Sequence, residues 1–390
     1  MTPTASPASE PATGAPVQAD PLALALRHVH RAATELRRGT PVILRGTDTA
    51  LVVAAAETVG GRGLADIAAA ALAPAVLLLA PVRAAAVLQR PVPHAADEEG
   101  AVALRLPPTL LAPEALRSLA DPTAERLLPE VPERVAAPAL AQAAIALAKL
   151  GRLLPALVAA PATEGAADRL DLMQVAAADV LDYPTTAATT LARVAEARVP
   201  LEDAPEARIV AFRAADGGIE HLAILVGTPE KTAAEGGAPL VRAHSECFTG
   251  DLLGSLRCDC GPQLRGAIAR MAQDPAGGVL LYLAQEGRGI GLVNKLRAYT
   301  LQDGGLDTLD ANRALGYGAD ERSFMVAATM LRAVGVERVR LLTNNPDKIG
   351  GLVACGIEVL GREAHAFDPN GVNDRYLRTK AERFGHLLSG

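Results

Sequence analysis

Residues 22–38 carry apolar and charged positions at helical spacing, and Gly39 stops the run, so the folded part of the chain opens with an amphipathic helix. Two short apolar runs, 41–46 and 50–56, flank a Gly-Thr-Asp turn and read as strands. Ala-rich helices and short apolar strands then alternate to about residue 182. Within that stretch, 107–132 is rich in proline and charge and predicts loops with short helices, whereas 137–150 reads as a firmer helix and 154–160 as a strand. The texture changes at 207. Runs 209–213 and 220–227, separated by Ala-Asp-Gly-Gly, predict a hairpin, and 239–245 a third strand. Helices at 263–273, 321–334 and 347–354 then alternate with strands at 278–284, 338–343 and 357–360, and a polar helix over 374–388 ends the chain. The pattern predicts an α/β (α+β) protein of two domains, each a mixed sheet with surrounding helices, and a boundary near 190–206. The expected division is a tail over 1–20, a first domain over 21–190 and a second over 200–390.

Composition narrows this picture. Half of the 390 residues are hydrophobic and Trp is absent, so the cores must be built from Ala, Leu and Val. Residues 1–20 are Pro/Ala/Thr-rich, which predicts disorder. They have no apolar stretch and no Arg or Lys, so they match neither a signal nor a transit peptide. The most apolar run, 66–83, is too short to span a bilayer and is broken by Pro74 and Pro81; it reads as buried core, with no membrane partner. A net charge of −6 argues against a nucleic-acid partner.

Three of the four cysteines, Cys247, Cys258 and Cys260, fall within fourteen residues as C-x10-C-x-C. This is the pattern of reduced thiols around a metal, which places the chain in the cytoplasm. Thiolates suit zinc, and three ligands leave a position for water whose pKa the ion lowers. The alternative is a structural zinc completed by His244 or His365, and spacing alone leaves both open. Cys355, in GLVACGI, reads as a buried small hydrophobe.

Around the triplet the text runs VRAHSECFTGDLLGSLRCDCGPQL, followed by QEGRGIGL (285–292), NKLRAY (294–299), LGYGADER (315–322) and LLTNNPDK (341–348). In order and spacing these segments closely resemble the GTP cyclohydrolase II family over essentially all of 200–390. The resemblance implies a GTP cyclohydrolase II-like fold and the first step of riboflavin biosynthesis. GTP would be hydrolysed to 2,5-diamino-6-(5-phosphoribosylamino)pyrimidin-4-one, formate and pyrophosphate. It also implies one zinc per subunit, magnesium on the triphosphate and a homodimer. It assigns the zinc to Cys247, Cys258 and Cys260, and GTP contacts to Arg242, Ala243, His244, Ser245, Glu246, Gln263, Glu286, Gly287, Arg288, Thr308, Thr343 and Lys348.

Chemistry can be set beside each assignment. The triphosphate needs cations, and Arg242, Arg257, Arg288, Arg297, Arg322 and Lys348 are available. Thr343-Asn-Asn-Pro-Asp-Lys leaves a strand and opens a helix with Pro346 near its first position, a natural phosphate site or simply a capped helix. The Glu286 carboxylate could accept from guanine N1–H and N2–H. Asp320 and Arg322 match the family's acid/base and nucleophile positions. The plainer account makes Arg322 a phosphate clamp and Asp320 a helix cap, since guanidinium stays protonated. Tyr299 matches a family active-site tyrosine; otherwise it is a half-buried helix tyrosine. A paralogue acting on another purine or pyrimidine, and a zinc-stabilised module without catalysis, are the competing readings.

The first half faintly resembles 3,4-dihydroxy-2-butanone 4-phosphate synthase. ELRRGTPVILRG (35–46) matches that family's entry helix and strand, and IALAKLGRLLPALVAAP (145–161) its late helix and strand. After the first strand the family's acidic cluster is reduced to Asp48, and 110–140 contains no His. Residues 22–190 are therefore expected to keep that fold without the activity.

Overall fold

The computed structural model describes residues 20–90, 92, 100–124, 132–367, 370–373, 378–379 and 381–383. The expected tail lies outside these residues apart from Asp20, and so does most of the expected terminal helix, of which 378–379 and 381–383 are helical.

The first half runs α1 (Pro21–Arg38), β1 (Val42–Arg45), β2 (Ala50–Ala55), α2 (Gly61–Ala70), β3 (Val76–Leu79), α3 (Pro81–Leu88), β4 (Val102–Arg105), α4 (Pro113–Ala120), β5 (Glu133–Val135), α5 (Ala141–Leu150), β6 (Ala156–Pro161), α6 (Ala166–Leu170), β7 (Met173–Ala176) and α7 (Ala177–Thr189). The second runs β8 (Ala192–Arg198), β9 (Arg208–Arg213), β10 (His221–Val226), α8 (Pro229–Ala234), β11 (Leu240–Ser245), α9 (Cys260–Gln273), β12 (Gly278–Leu283), α10 (Leu292–Asp303), α11 (Thr308–Ala314), α12 (Phe324–Ala333), β13 (Arg338–Leu342), α13 (Pro346–Ala354) and β14 (Glu358–Glu363).

Each half builds one mixed seven-stranded sheet. The first has the order β5-β4-β3-β6-β2-β1-β7, with only the β1/β7 pair parallel. Helix α1 starts on Pro21, with Asp20 accepting from the Leu22 N–H at 3.0 Å, and ends where Gly39 adopts φ +81°. Period-two alternation in β1 and β2 sends Val42, Leu44, Leu51 and Val53 to one face, against α1, α5 and α7. Ile43, Val52 and Ala54 face the other side. There the core contains α2–α4 together with Ile290, Ala298, Ala311, Leu315 and Tyr317 from the second half. Each fully buried aliphatic side chain contributes about 1.5–3 kcal/mol.

The second sheet has the order β14-β13-β11-β12-β10-β9-β8. It enters antiparallel through β8, β9 and β10 and leaves parallel through β12, β11, β13 and β14. One face packs on α12 and α13, the other on α9. Strand β8 occupies the stretch expected to be a linker. All seven of its residues are exposed, so it carries no apolar alternation to mark it. The 321–334 helix starts later than expected, at Phe324, because Glu321 is engaged by Lys149 at 2.7 Å and by the Gly318 N–H at 2.7 Å. Among the described residues no helix is long and apolar enough to cross a membrane.

Candidate active site

The parallel strands β11, β12 and β13 end together, and a cleft opens at their carboxyl ends, where open α/β sheets place ligands. It encloses about 1080 Å³, counting its open mouth. Alternation along β11 buries Val241 and Ala243 in the α12-side core and turns Arg242 and His244 toward the cleft. The ends of β12 and β13 lead into Glu286-Gly-Arg and Thr343-Asn-Asn, and α9, α10 and α11 supply Cys260, Lys295, Tyr299 and Thr308.

The three cysteine sulfurs lie within 4.8 Å of one another, with Cys247 and Cys258 Sγ 3.8 Å apart. Cys247 opens a single wide turn, Phe248–Leu252, and its Sγ accepts from the Gly250 N–H at 3.3 Å. Gly250 is needed for close approach: a Cβ there would stand 2.7 Å from Cys258 Sγ and 2.9 Å from Cys247 Sγ. Donation from the Cys258 and Cys260 thiols, aided by Lys295, pulls the Cys247 proton affinity far down, and sharing with Cys247 pushes Cys258 up to about 11. Lys295 Nζ is 3.1 Å from Cys247 Sγ. A crowded set of soft donors that already shares protons is the donor chemistry zinc takes. Among the described residues neither histidine joins it. His244 Nε2 faces both oxygens of Asp251 at 3.1 Å, and His365 Nε2 faces the Gln263 carbonyl at 2.8 Å. Burial lowers both imidazoles, His365 to about 4. The fold thus brings the three sulfurs together with neither histidine beside them.

Asp251 is the hub beneath this turn. Besides His244 it accepts from the Cys247 N–H at 3.0 Å and the Tyr282 hydroxyl at 3.0 Å, while Tyr282 stacks on His244. Such partners fix the backbone that presents Cys247.

Cations gather on the far wall. Arg242 is 5 % exposed; it donates to the Leu342 carbonyl at 3.3 Å and to Gln263, yet its Nε has no partner. Burial lowers its pKa to about 10. A buried guanidinium with an unused donor beside a cleft is suited to an anion. Helix α13 begins on Pro346 behind Asn345, whose side chain accepts from the Asp347 N–H at 2.9 Å. Lys348 Nζ reaches across to the Ala243 carbonyl at 2.7 Å.

Of the expected site residues, Arg242, His244, Ser245, Glu246, Gln263, Glu286, Gly287, Arg288, Tyr299, Thr308, Arg322, Thr343, Lys348 and the three cysteines line this one cleft. Ala243 and Asp320 do not. Ala243 has its side chain in the core and takes part through its carbonyl. Asp320 grips Arg322, accepting from its Nε at 2.7 Å and pairing with its second nitrogen. Burial opposes ionisation of Asp320, but Arg322 outweighs it and holds the carboxyl below its usual value. Asp320 is not a helix cap, because α12 starts behind Ser323. Arg257 and Arg297 leave the phosphate inventory: Arg257 pairs with Asp303 at 2.6 Å, and Arg297 pairs with Glu57 at 2.9 Å and Asp121 at 2.8 Å.

The Glu286 carboxylate is 3 % exposed and fully occupied. One oxygen accepts from Lys295 Nζ at 2.7 Å and the Gly287 N–H at 2.9 Å, the other from the Phe248 N–H at 2.7 Å. It ties the cysteine turn to the EGRG turn, where Arg288 adopts φ +64°, a left-handed conformation costly for a side-chain residue. Glu246, next to Cys247, lines the cleft as well; burial and then Glu286 raise its pKa. Sequence reasoning missed Lys295 and Asp251. Lys295 sits inside the quoted NKLRAY, one helical turn before Tyr299, and Asp251 lies between the first two cysteines. Cys355, half-buried at the end of α13, packs beside the α12 core.

A family model of GTP cyclohydrolase II matches residues 192–364. The chain is 50% identical over 377 residues to GTP cyclohydrolase-2 of Azospirillum brasilense, covering 93% of this chain and 94% of that protein. It is 40% identical over 259 residues to riboflavin biosynthesis protein RibBA of Parabacteroides distasonis, covering 63% and 62%. Among solved structures, RibBX, a two-domain 3,4-dihydroxy-2-butanone 4-phosphate synthase from A. baumannii, matches at 20% identity with a TM-score of 0.33, covering 87% of this chain and 99% of that one.

Proposed function

Because the chain belongs to the GTP cyclohydrolase II family and is a hydrolase of riboflavin biosynthesis, we propose that the cleft opens the guanine ring of GTP with a zinc ion held by Cys247, Cys258 and Cys260. The observation that carries this is the placement of three converging sulfurs and a wall of cations in one cleft. Zinc bound there would supply Lewis acidity and an acidified water at neutral pH. Formate, pyrophosphate and the diaminopyrimidinone are the products we assign.

The residues divide the work. Lys295 and the Gly250 N–H hold Cys247 in its charged form. Glu246 faces the cleft with a raised pKa, and we assign it, rather than the occupied Glu286, to guanine N1–H and N2–H. The 286–288 turn then meets GTP through its backbone and Arg288. Arg242, Arg322, Lys348 and the Thr343 turn receive the triphosphate, with Gln263 and Thr308 at the edges of the same space. Magnesium arrives on the phosphate oxygens, its customary ligands. Tyr299 orients the leaving group or water. We assign Arg322 to clamping phosphate: Asp320, held below its usual pKa, is a poor acceptor for the proton a guanidinium nucleophile must lose.

Residues 22–190 are proposed to keep a dihydroxybutanone phosphate synthase-like fold without its reaction, since Asp48 is the acidic residue left after β1. We place the enzyme in the cytoplasm, where its thiols stay reduced, as a homodimer. Exposed Phe248, Leu252, Leu253 and Leu256 beside the cysteine turn support a subunit contact.

The test is formate release from GTP by the purified chain, with zinc counted per chain. One zinc and formate are expected, and both are lost in Cys258→Ser. A parent protein that holds zinc yet yields no formate would refute the assignment.

A further inference from the structure

Helix α10 has two occupied faces. Lys295, Tyr299 and Gln302 point into the cleft. Asn294, Arg297 and Leu301 point the other way, onto the first half of the chain. Spacings of three and four residues put each set on one side of the helix.

The outward face is held by polar contacts of defined geometry. Arg297 is a fork between three acceptors: Glu57 Oε1 at 2.9 Å, Asp121 Oδ2 at 2.8 Å and Asn294 Oδ1 at 2.8 Å. The Arg297 side chain is 18% exposed, and those of Glu57 and Asp121 16% each, so both ion pairs are largely withdrawn from water. Glu57 is itself fixed, accepting from the Leu154 N–H at 2.9 Å. Asn294 donates to the Arg152 carbonyl at 2.9 Å, and the buried Tyr317 hydroxyl donates to the Leu153 carbonyl at 2.6 Å. The backbones meet closely: a Cβ on Gly316 would stand 2.8 Å from Pro155 and 3.0 Å from Ala80. Two apolar layers sliding past each other would need none of this. A partly buried ion pair gives little net stability but fixes register and orientation.

We propose that the first half of the chain serves the reaction by bracing helix α10 behind the GTP site, with Arg297, Glu57 and Asp121 as positioning residues. They set where α10 presents Lys295 and Tyr299 to the cysteine turn. The inference rests on the proposed GTP site. A helix is stiff over one turn, so freeing the Arg297 anchor displaces Lys295 and Tyr299, two residues to either side of it. Such a displacement costs rate steeply, about 100-fold for 1 Å. Arg242 stands on β11, Thr343 in the turn directly after β13 and Lys348 on α13, and none depends on this anchor, so GTP affinity is set elsewhere.

The experiment compares Arg297→Ala, Arg297→Lys and the isosteric double variant Glu57→Gln/Asp121→Asn with the full-length parent, using Arg62→Ala as a control on an exposed first-half pair. Each is measured for zinc per chain, melting temperature, kcat and KM for formate release. A kcat lower by about 10- to 100-fold is expected in Arg297→Ala and in the double variant, with KM within about threefold and zinc retained. Arg297→Lys should recover part of kcat, and Arg62→Ala all of it. If Arg297→Ala does not fold, the isosteric double variant decides by the same criterion. A double variant whose kcat stays within about twofold of the parent overturns the positioning role and leaves the GTP reading standing. Loss of zinc together with kcat also overturns it, by moving the effect to metal retention. A parent without formate release removes the GTP reading and this inference together.

Discussion

Both halves of the chain close a mixed seven-stranded sheet between helices, and both fill their cores with Ala, Leu and Val. They differ in what else they bury. Among the described residues, the buried polar side chains of the first half are Arg83 and Ser118, and Arg83 spends itself on the Leu119 carbonyl at 2.8 Å. The second half buries Arg242, His244, Glu286, Lys295, Thr343, Asn344 and His365 around one cleft. Burying such groups costs stability unless partners are supplied. The second half meets that cost with networks through Asp251 and Glu286, and leaves Arg242 Nε without a partner. A sheet freed of that demand is available as a scaffold, and its Glu57 and Asp121 carboxylates are directed at α10.

The contrast can be broken in several ways. The largest effect is expected from Arg322→Ala, which removes the proposed clamp on phosphate and should lower kcat by about 100- to 1000-fold, read from formate release. Recovery of a guanylylated Arg322 from the parent would replace the clamp with a covalent role. Next comes Glu246→Gln, expected to lower the preference for GTP over ATP by about 10- to 100-fold, the worth of a hydrogen bond to a charged group. Glu286→Gln should instead weaken kcat and zinc retention; if it alone changed base preference, the two carboxylates would exchange roles.

Smaller is the acid response. Burial pushes His221 and His365 from 6.5 to about 4, so the native state holds fewer protons than the unfolded chain between those values. Their contribution is complete above 6.5 and fades as pH falls toward 4. The melting temperature should therefore fall less between pH 7 and about 4.5 in His221→Asn/His365→Asn than in the parent. No effect at all is expected from Asp48→Ala on formate release, and no dihydroxybutanone phosphate from ribulose 5-phosphate. Formation of that product by the parent would end the description of the first half as a scaffold.

Several features were legible along the chain because their physics is local. Capping and period fix α1; Pro346 behind Asn345 fixes the start of α13; ligand spacing marks the triplet as a candidate metal site. Strand β8 escaped because an exposed edge strand needs no apolar alternation. Arg297 and Arg257 stand among the cations the sequence offers to phosphate because a cation's sequence neighbours do not name its partner; the partners are Glu57, Asp121 and Asp303. Asp251 and Lys295 were passed over for the same reason. By itself, then, the sequence determined two α/β sheets, a thiolate cluster and a family. The tertiary structure alone decided which carboxylate is occupied, which arginines face the cleft and that the two halves share a core, since charge pairing and burial depend on distances that close only when remote segments meet.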